Sequence, residues 1–162
     1  MIHEFLSSYL SKFNLKVQKK QGNLHVVTTT KFPANYPIYQ AKDFLVFEQP
    51  TYQTVQVGEN FHVLDVVFAH MNHSCEPTTF IECNSLTIYT LKDLDIEEEV
   101  NFFYPSNEWQ MDKPFQCLCG SSNCIGTISG AYNLSLNTLN KYPLNAHIAR
   151  MLNQPYFALL YP

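Results

Sequence analysis

The chain has 162 residues, enough for one domain with a real core and too few for two comfortable ones. Its composition, 46% hydrophobic, 14% aromatic and only 15% charged, excludes a disordered chain. The net charge is -4, with nine scattered lysines and the single arginine Arg150, so a phosphate-binding footprint is excluded and no direct nucleic-acid ligand is expected.

Ile2, Phe5, Leu6, Tyr9, Leu10 and Phe13 recur at i, i+3, i+4, which predicts an amphipathic helix packing on the domain within residues 1–21. Glu4, the missing basic n-region and the lack of an uninterrupted apolar run argue against a signal peptide or a membrane span. The helix also has too little basic character for a membrane surface, so no membrane partner is expected. The expected compartment is intracellular and reducing: cytoplasmic, or nuclear in a eukaryote. Segments 24–30, 36–40, 44–48, 52–57 and 61–66 are rich in β-branched and aromatic residues and are divided by Pro, Asn and Gly, which predicts strands. Two further strands, 79–83 and 86–91, flank a turn at Asn84-Ser85, and 100–104 is another. Residues 105–114 read as a loop whose Trp109 packs on the core, and Cys83 reads as a small buried residue. Pro143 can start a helix that puts Leu144, Ile148, Met151 and Leu152 on one face before Pro155 stops it. The aromatic tail 156–161 reads as core packing. Many short strands with helices mainly at the two ends predict a mostly-β domain.

Cys117, Cys119 and Cys124 stand at C-x-C-x4-C spacing, with Gly120 directly after the pair. One tight turn can present two thiolates to one ion, and a closed tetrahedral site wants four soft ligands. Cys75 is the natural fourth, which predicts a zinc staple between residue 75 and segment 117–124. A disulfide or a metal-free loop is the alternative. Five cysteines are an odd number, and a C-x-C pair is poorly spaced for a disulfide.

Three blocks in order resemble the SET domain family of methyltransferases with its cysteine-rich post-SET segment. Asn72-His73-Ser74-Cys75-Glu76-Pro77 resembles N-H-S-C-x-P, residues 94–104 resemble I-x-x-G-E-E-L-T-F-D-Y, and residues 117–126 resemble C-x-C-G-S-x-N-C-x-G. Residues 28–39, with Phe32-Pro33, are similar to a weaker upstream block. The resemblance implies a SET-domain fold of short strands, with the N-H-S-C strand threaded as a pseudoknot beneath the tyrosine segment and a zinc-stapled post-SET loop. It divides the chain into an N-terminal helix at 1–21, a SET domain at 22–110, a post-SET zinc segment at 111–130 and a C-terminal helical extension at 131–162. It further implies methyl transfer from S-adenosylmethionine to an amine, most often a protein lysine. Tyr104 aligns with the catalytic tyrosine, and Asn72 and His73 with cofactor contacts. Phe102 and Tyr52 are expected in the substrate channel, and a phenylalanine at 102 resembles the multiply methylating members. A peptide acceptor could add as a strand near residues 52–57.

Departures from the pattern gather on the cofactor side. The family's G-x-G falls near Asn23-Leu24-His25, with Gly22 beside it; its arginine before N-H-S-C is Ala69; and Thr78, Glu97 and Phe103 replace its asparagine, glycine and aspartate. Glu98 and Glu99 read as a structural pair, and His3, His25, His62, His70 and His147 as ordinary surface or core residues. Two other functions stay open: a SET-fold enzyme acting on a small metabolite, with or without S-adenosylmethionine, and a non-catalytic binding module.

Overall fold

Apolar residues at helical spacing form α1, Ile2–Ser11, in a computed structural model that describes residues 2–20 and 22–153, with the side chains of 2–5 and 20 left aside. Leu6 and Leu10 are its buried face. The helix is shorter than its periodicity predicts. Asn14 takes a left-handed φ of 56° and turns the chain, a conformation asparagine tolerates. Residues 15–20, predicted within the N-terminal helical segment, are instead a strand, β1, Leu15–Lys20. Buried Leu15 and half-buried Val17 alternate with lysine and glutamine, and the strand pairs antiparallel with β2, Asn23–Thr28.

The remaining strands are short: β3, Pro37–Gln40; β4, Leu45–Phe47; β5, Val55–Gly58; β6, Phe61–Leu64; β7, Asn72–His73; β8, Thr79–Glu82; β9, Thr87–Thr90; β10, Asn101–Phe102; β11, Phe115–Gln116; and β12, Thr127–Ile128. They form small sheets in the orders β3-β9-β8 and β4-β6-β5, with two-stranded pairs β1-β2, β10-β7 and β11-β12. The predicted strand 100–104 is reduced to β10, because Tyr104–Ser106 winds into a 3-10 turn. Pro105 favours that turn, since it supplies a fixed φ and needs no strand donor. Predicted strand 52–57 begins only at Val55, which leaves Tyr52 on the preceding loop. Helices α2, Leu136–Leu139, and α3, Ala146–Leu152, close the described chain; Pro155 and the tail 156–161 lie outside the described residues.

One buried cluster joins α1 to the strands through Leu6, Leu10, Leu15, Val26, Ile88 and Phe102. A second holds the C-terminal helices through Phe103, Ala131, Leu139 and Ile148, with Trp109 packed against it as expected. Burial of these side chains outside water is the main force ordering so many short strands. Phe103 stacks on Tyr142 with ring centroids 3.6 Å apart, and the Tyr142 hydroxyl donates to the Cys75 carbonyl at 2.8 Å. Asn145, 4% exposed, donates to the carbonyls of Ile81 and Ser106 and so ties α3 to β8. Among the described residues no helix is long and apolar enough to cross a membrane.

Candidate active site

Parallel pairing of β7 with β10 sets Asn72 beside Asn101 and His73 beside Phe102. Residues 29 apart in sequence are thereby paired directly beside Tyr104, which follows β10. The backbone N–H of Tyr104 donates to His73 Nδ1 at 3.2 Å, and the Tyr104 hydroxyl donates to the Met71 carbonyl at 2.9 Å. A ring nitrogen that accepts from a backbone N–H is unprotonated, so the neutral His73 carries its proton on Nε2, 3.2 Å from Cys75 Sγ. Burial pushes the His73 pKa down to about 4, which keeps that tautomer neutral. His73 therefore links the tyrosine to the cysteine cluster.

Segment 97–100 runs against β2: Thr28 N–H donates to Glu98 O and Val100 N–H to Val26 O, at 3.0 and 2.8 Å. That register puts His25 Nδ1 2.8 Å from Glu99 Oε1. The Asn72 amide uses both hydrogens, one on Glu99 Oε1 at 2.9 Å and one on Leu24 O at 3.0 Å. His25, expected to be ordinary, is thus a wall residue whose orientation Glu99 holds.

All five predicted organic-site residues line one cavity of about 620 Å³: Asn72, His73, Phe102, Tyr104 and Tyr52. Cys117 and Cys119 border the same space. Phe102 is 2% exposed, with its ring 4.7 Å from that of Tyr104, whereas Tyr52 is 76% exposed at the rim. The volume falls in the range of small-molecule sites, about 300–1,000 Å³. The structure divides the departures from the family pattern into two kinds. His25, Asn23 and Ala69 face the cavity. Glu97, Thr78 and Phe103 do not, and each makes structural contacts. Glu97 accepts from Lys16 and Gln18, the Thr78 hydroxyl donates to Glu99 O at 2.6 Å, and Phe103 is the stacking partner of Tyr142. Glu97 also sits at a φ of 66°, the left-handed conformation that explains a glycine in the family pattern.

The sulfur atoms of Cys75, Cys117, Cys119 and Cys124 all lie within 4.8 Å of one another. Cys75 Sγ and Cys117 Sγ are 3.9 Å apart, far beyond a disulfide bond. Tetrahedral zinc with bonds of about 2.3 Å places its sulfur ligands roughly 3.8 Å apart, so the spacing fits an ion at the centre. Burial pushes the Cys75 thiol up to about 11, a cost that a divalent cation would offset by favouring thiolate. The N–H of Ile125 points at Cys75 Sγ, 3.5 Å away, and that of Cys119 at Cys117 Sγ, 3.4 Å away, the outer-shell donors such a site uses. Cys83 is apart from the cluster and receives the Asn107 amide at 3.1 Å.

Glu108 was not singled out by the sequence, and it lines the cavity while being 6% exposed. Burial raises its carboxyl to about 8, against the opposing hydrogen bond from the Gln56 N–H at 2.8 Å. Burial likewise raises the Tyr104 pKa, with the charges of Glu108 and Glu99 adding to it. The one available signal was an acid four residues after the tyrosine, and an isolated acid in a loop ordinarily reads as solvated.

No family model matches the sequence. The chain is 37% identical over 107 residues to the methyltransferase flvH of Aspergillus flavus, covering 63% of this chain and 59% of that protein. It is 33% identical over 66 residues to an H3 lysine-4 specific histone-lysine N-methyltransferase of Emericella nidulans, covering 36% of this chain and 5% of that protein. An H3 lysine-36 specific enzyme of Cryptococcus neoformans is 32% identical over 81 residues, covering 46% of this chain and 10% of its own length. The chain thus spans about three fifths of one relative and a small part of the others. The crystal structure of KRYPTONITE in complex with mCHG DNA and SAH superposes with a TM-score of 0.56 at 17% identity, covering 72% of this chain and 29% of that one. A second KRYPTONITE structure, with mCHH DNA, an H3(1-15) peptide and SAH, gives a TM-score of 0.55 at 18% identity. The fold is that of the SET domain, as the sequence blocks predict.

Proposed function

We propose that the chain is an S-adenosylmethionine-dependent SET-domain methyltransferase acting on a lysine amine of a protein. One observation carries it: the Tyr104 hydroxyl, anchored on Met71 O, stands in the same cavity as Asn72, His73 and Phe102. Matches to two histone-lysine N-methyltransferases support a protein lysine as acceptor.

The cavity wall fits such a cofactor. Glu99 supplies negative charge, and Tyr104 and Phe115 supply aromatic rings whose faces are favourable to a sulfonium cation. When bound, S-adenosylmethionine supplies the electrophilic methyl group. Asn23, His25, Asn72 and His73 would hold it. Tyr104 orients the amine against the methyl, which lowers the barrier by proximity rather than through a covalent intermediate. Phe102 and Phe68 exclude water beside it and disfavour the ammonium form of the acceptor. Cys75, Cys117, Cys119 and Cys124 would hold zinc, which would fix the segment bordering the cavity through Cys117 and Cys119. In this division residues 22–110 are the SET domain, 111–130 its post-SET zinc segment, 1–21 an N-terminal addition and 131–162 a C-terminal one.

A small-molecule amine is the second acceptor class. It is favoured by the cavity itself, whose volume of about 620 Å³ lies within the range of small-molecule sites, about 300–1,000 Å³. The test is to incubate the zinc-loaded chain with methyl-labelled S-adenosylmethionine and core histones, followed by peptide mass spectrometry. Label on a lysine side chain, lost in Tyr104→Phe, is expected. Histones left unlabelled, with transfer to free amines, would move the acceptor to the second class. No transfer to either would overturn the enzyme.

A further inference from the structure

We propose that Glu108 is the acceptor-recognition residue of this cavity, the carboxyl that receives the incoming ammonium and takes its proton. Resting on the methyltransferase reading above, the role begins from an imbalance in the buried charges. Glu108 Oε1 accepts from the Gln56 N–H at 2.8 Å, and no hydrogen bond or ion pair engages Oε2 among the described residues. A buried carboxylate without a cation is expensive, and proteins retain one mainly where a ligand or a proton completes it.

Position decides which ligand that is. Glu108 N–H donates to the Tyr104 carbonyl at 2.9 Å, so the acid sits one turn beyond the tyrosine and borders the same cavity. Gln56 fixes it from both sides, giving its N–H to Glu108 and taking the Trp109 N–H on Oε1 at 2.7 Å. The wall beside it is the loop carrying Tyr52 and Thr54, whereas His25, Asn72 and Glu99 form a separate hydrogen-bonded group on other elements. Of the acids lining the cavity, Glu99 is already occupied by His25 and Asn72 and Asp112 is exposed, which leaves Glu108 as the buried acid with an uncommitted oxygen. The cavity's own lysine, Lys113, is exposed, lies over the Tyr52 ring and forms no ion pair with Glu108 among the described residues.

The chemistry balances. Glu108 first releases its own proton to solvent, as it does above its raised pKa of about 8 or when the positive charge of the arriving ammonium favours the carboxylate. The acceptor ammonium then loses one N–H proton to Oε2, its electron pair staying on nitrogen. The neutral amine then forms the N–C bond to the methyl of a sulfonium donor, while the S–C pair leaves with sulfur as a thioether. A carboxyl raised by burial is suited to hold that proton.

The probe is n-butylammonium added to zinc-loaded full chain, with uncharged 1-butanol as its isostere, followed by the side-chain carboxyl carbon resonances of glutamate at fixed pH. The amine should shift the Glu108 carbon and bind at least about tenfold more tightly than the alcohol, as a charge-assisted bond requires. Glu108→Gln keeps an acceptor for Gln56 and should erase that preference while leaving butanol affinity unchanged. An unmoved Glu108 resonance, or an amine preference surviving in Glu108→Gln, would overturn the proposal. If the variant does not fold, the wild-type carboxyl response decides alone. Amine recognition without methyl transfer to any acceptor would count against the methyltransferase reading and leave Glu108's role intact. Methyl transfer with an unchanged KM for the amine in Glu108→Gln would do the reverse.

Discussion

Tyr104 combines a half-buried ring, a hydroxyl committed to Met71 O and a backbone N–H committed to His73. Tyr104→Phe removes only the hydroxyl and its one bond, worth about 1 kcal/mol of stability, so the fold should persist. Methyl transfer should fall roughly 10²-fold, because an oriented polar group at a reacting centre is worth far more there than in folding. Steady-state rates beside a melting curve separate the two effects. Phe102→Tyr adds a hydroxyl to a ring that packs on Tyr104 and should narrow the product range toward fewer methyl groups, read directly by mass spectrometry. Glu108 adds a pH signature. Its folded pKa of about 8 lies above the ordinary 4.5, so the native state holds a proton that the unfolded chain releases. Glu108 therefore contributes a stability that falls as pH rises from about 4.5 to 8. Burial keeps its neighbours Tyr104 and Cys83 neutral in that window, and the buried His62 and His147 and the half-buried His73 contribute the opposite slope equally to both proteins compared. The difference in melting temperature between Glu108→Gln and wild type should grow with pH. A constant difference would show that Glu108 is ionised throughout. Tyr104 was legible in sequence because a motif surrounds it; Glu108 was not, because its burial depends on β5, far away in the chain.

Element pairings decide what the motifs can reach. The cysteine cluster was legible from spacing alone, since a C-x-C turn constrains its own geometry, and Cys75 follows from the need for a fourth soft ligand. β1 was missed because its polar positions outnumber its apolar ones, and only pairing with β2 makes it a strand. Phe103 looked like a loss on the cofactor side but is the ring that docks Tyr142 and the C-terminal helices. Gly130 shows how tightly that dock is fitted: its φ is 106°, and an added Cβ would lie 2.4 Å from the Trp109 carbonyl oxygen. Gly130→Ala should destabilise the protein by about 3 kcal/mol or more, combining backbone strain with a clash that rigid main chain cannot relieve. Chemical denaturation measures this, and a change below about 1 kcal/mol would mean the dock is loosely packed.

At the scale of the whole molecule, the cysteine cluster joins residue 75 to segment 117–124 and lies against the cavity through Cys117 and Cys119. Metal removal should therefore loosen the cavity wall as well as the loop. Cys119→Ser and chelation should lower the melting temperature by similar amounts without adding to each other, because both remove one coordination sphere. Full additivity would show that the cluster binds no metal. The cavity itself could not be read from sequence, since its walls come from β2, β7, the loop before β5 and the turn after β10. The most direct measurement is calorimetric titration of S-adenosylmethionine into the zinc-loaded chain. Binding at micromolar affinity or better, about -8 kcal/mol, is predicted, with weakening in Asn72→Ala. Absence of heat, together with no thermal stabilisation by excess cofactor, would contradict the assignment of this cavity to methyl transfer.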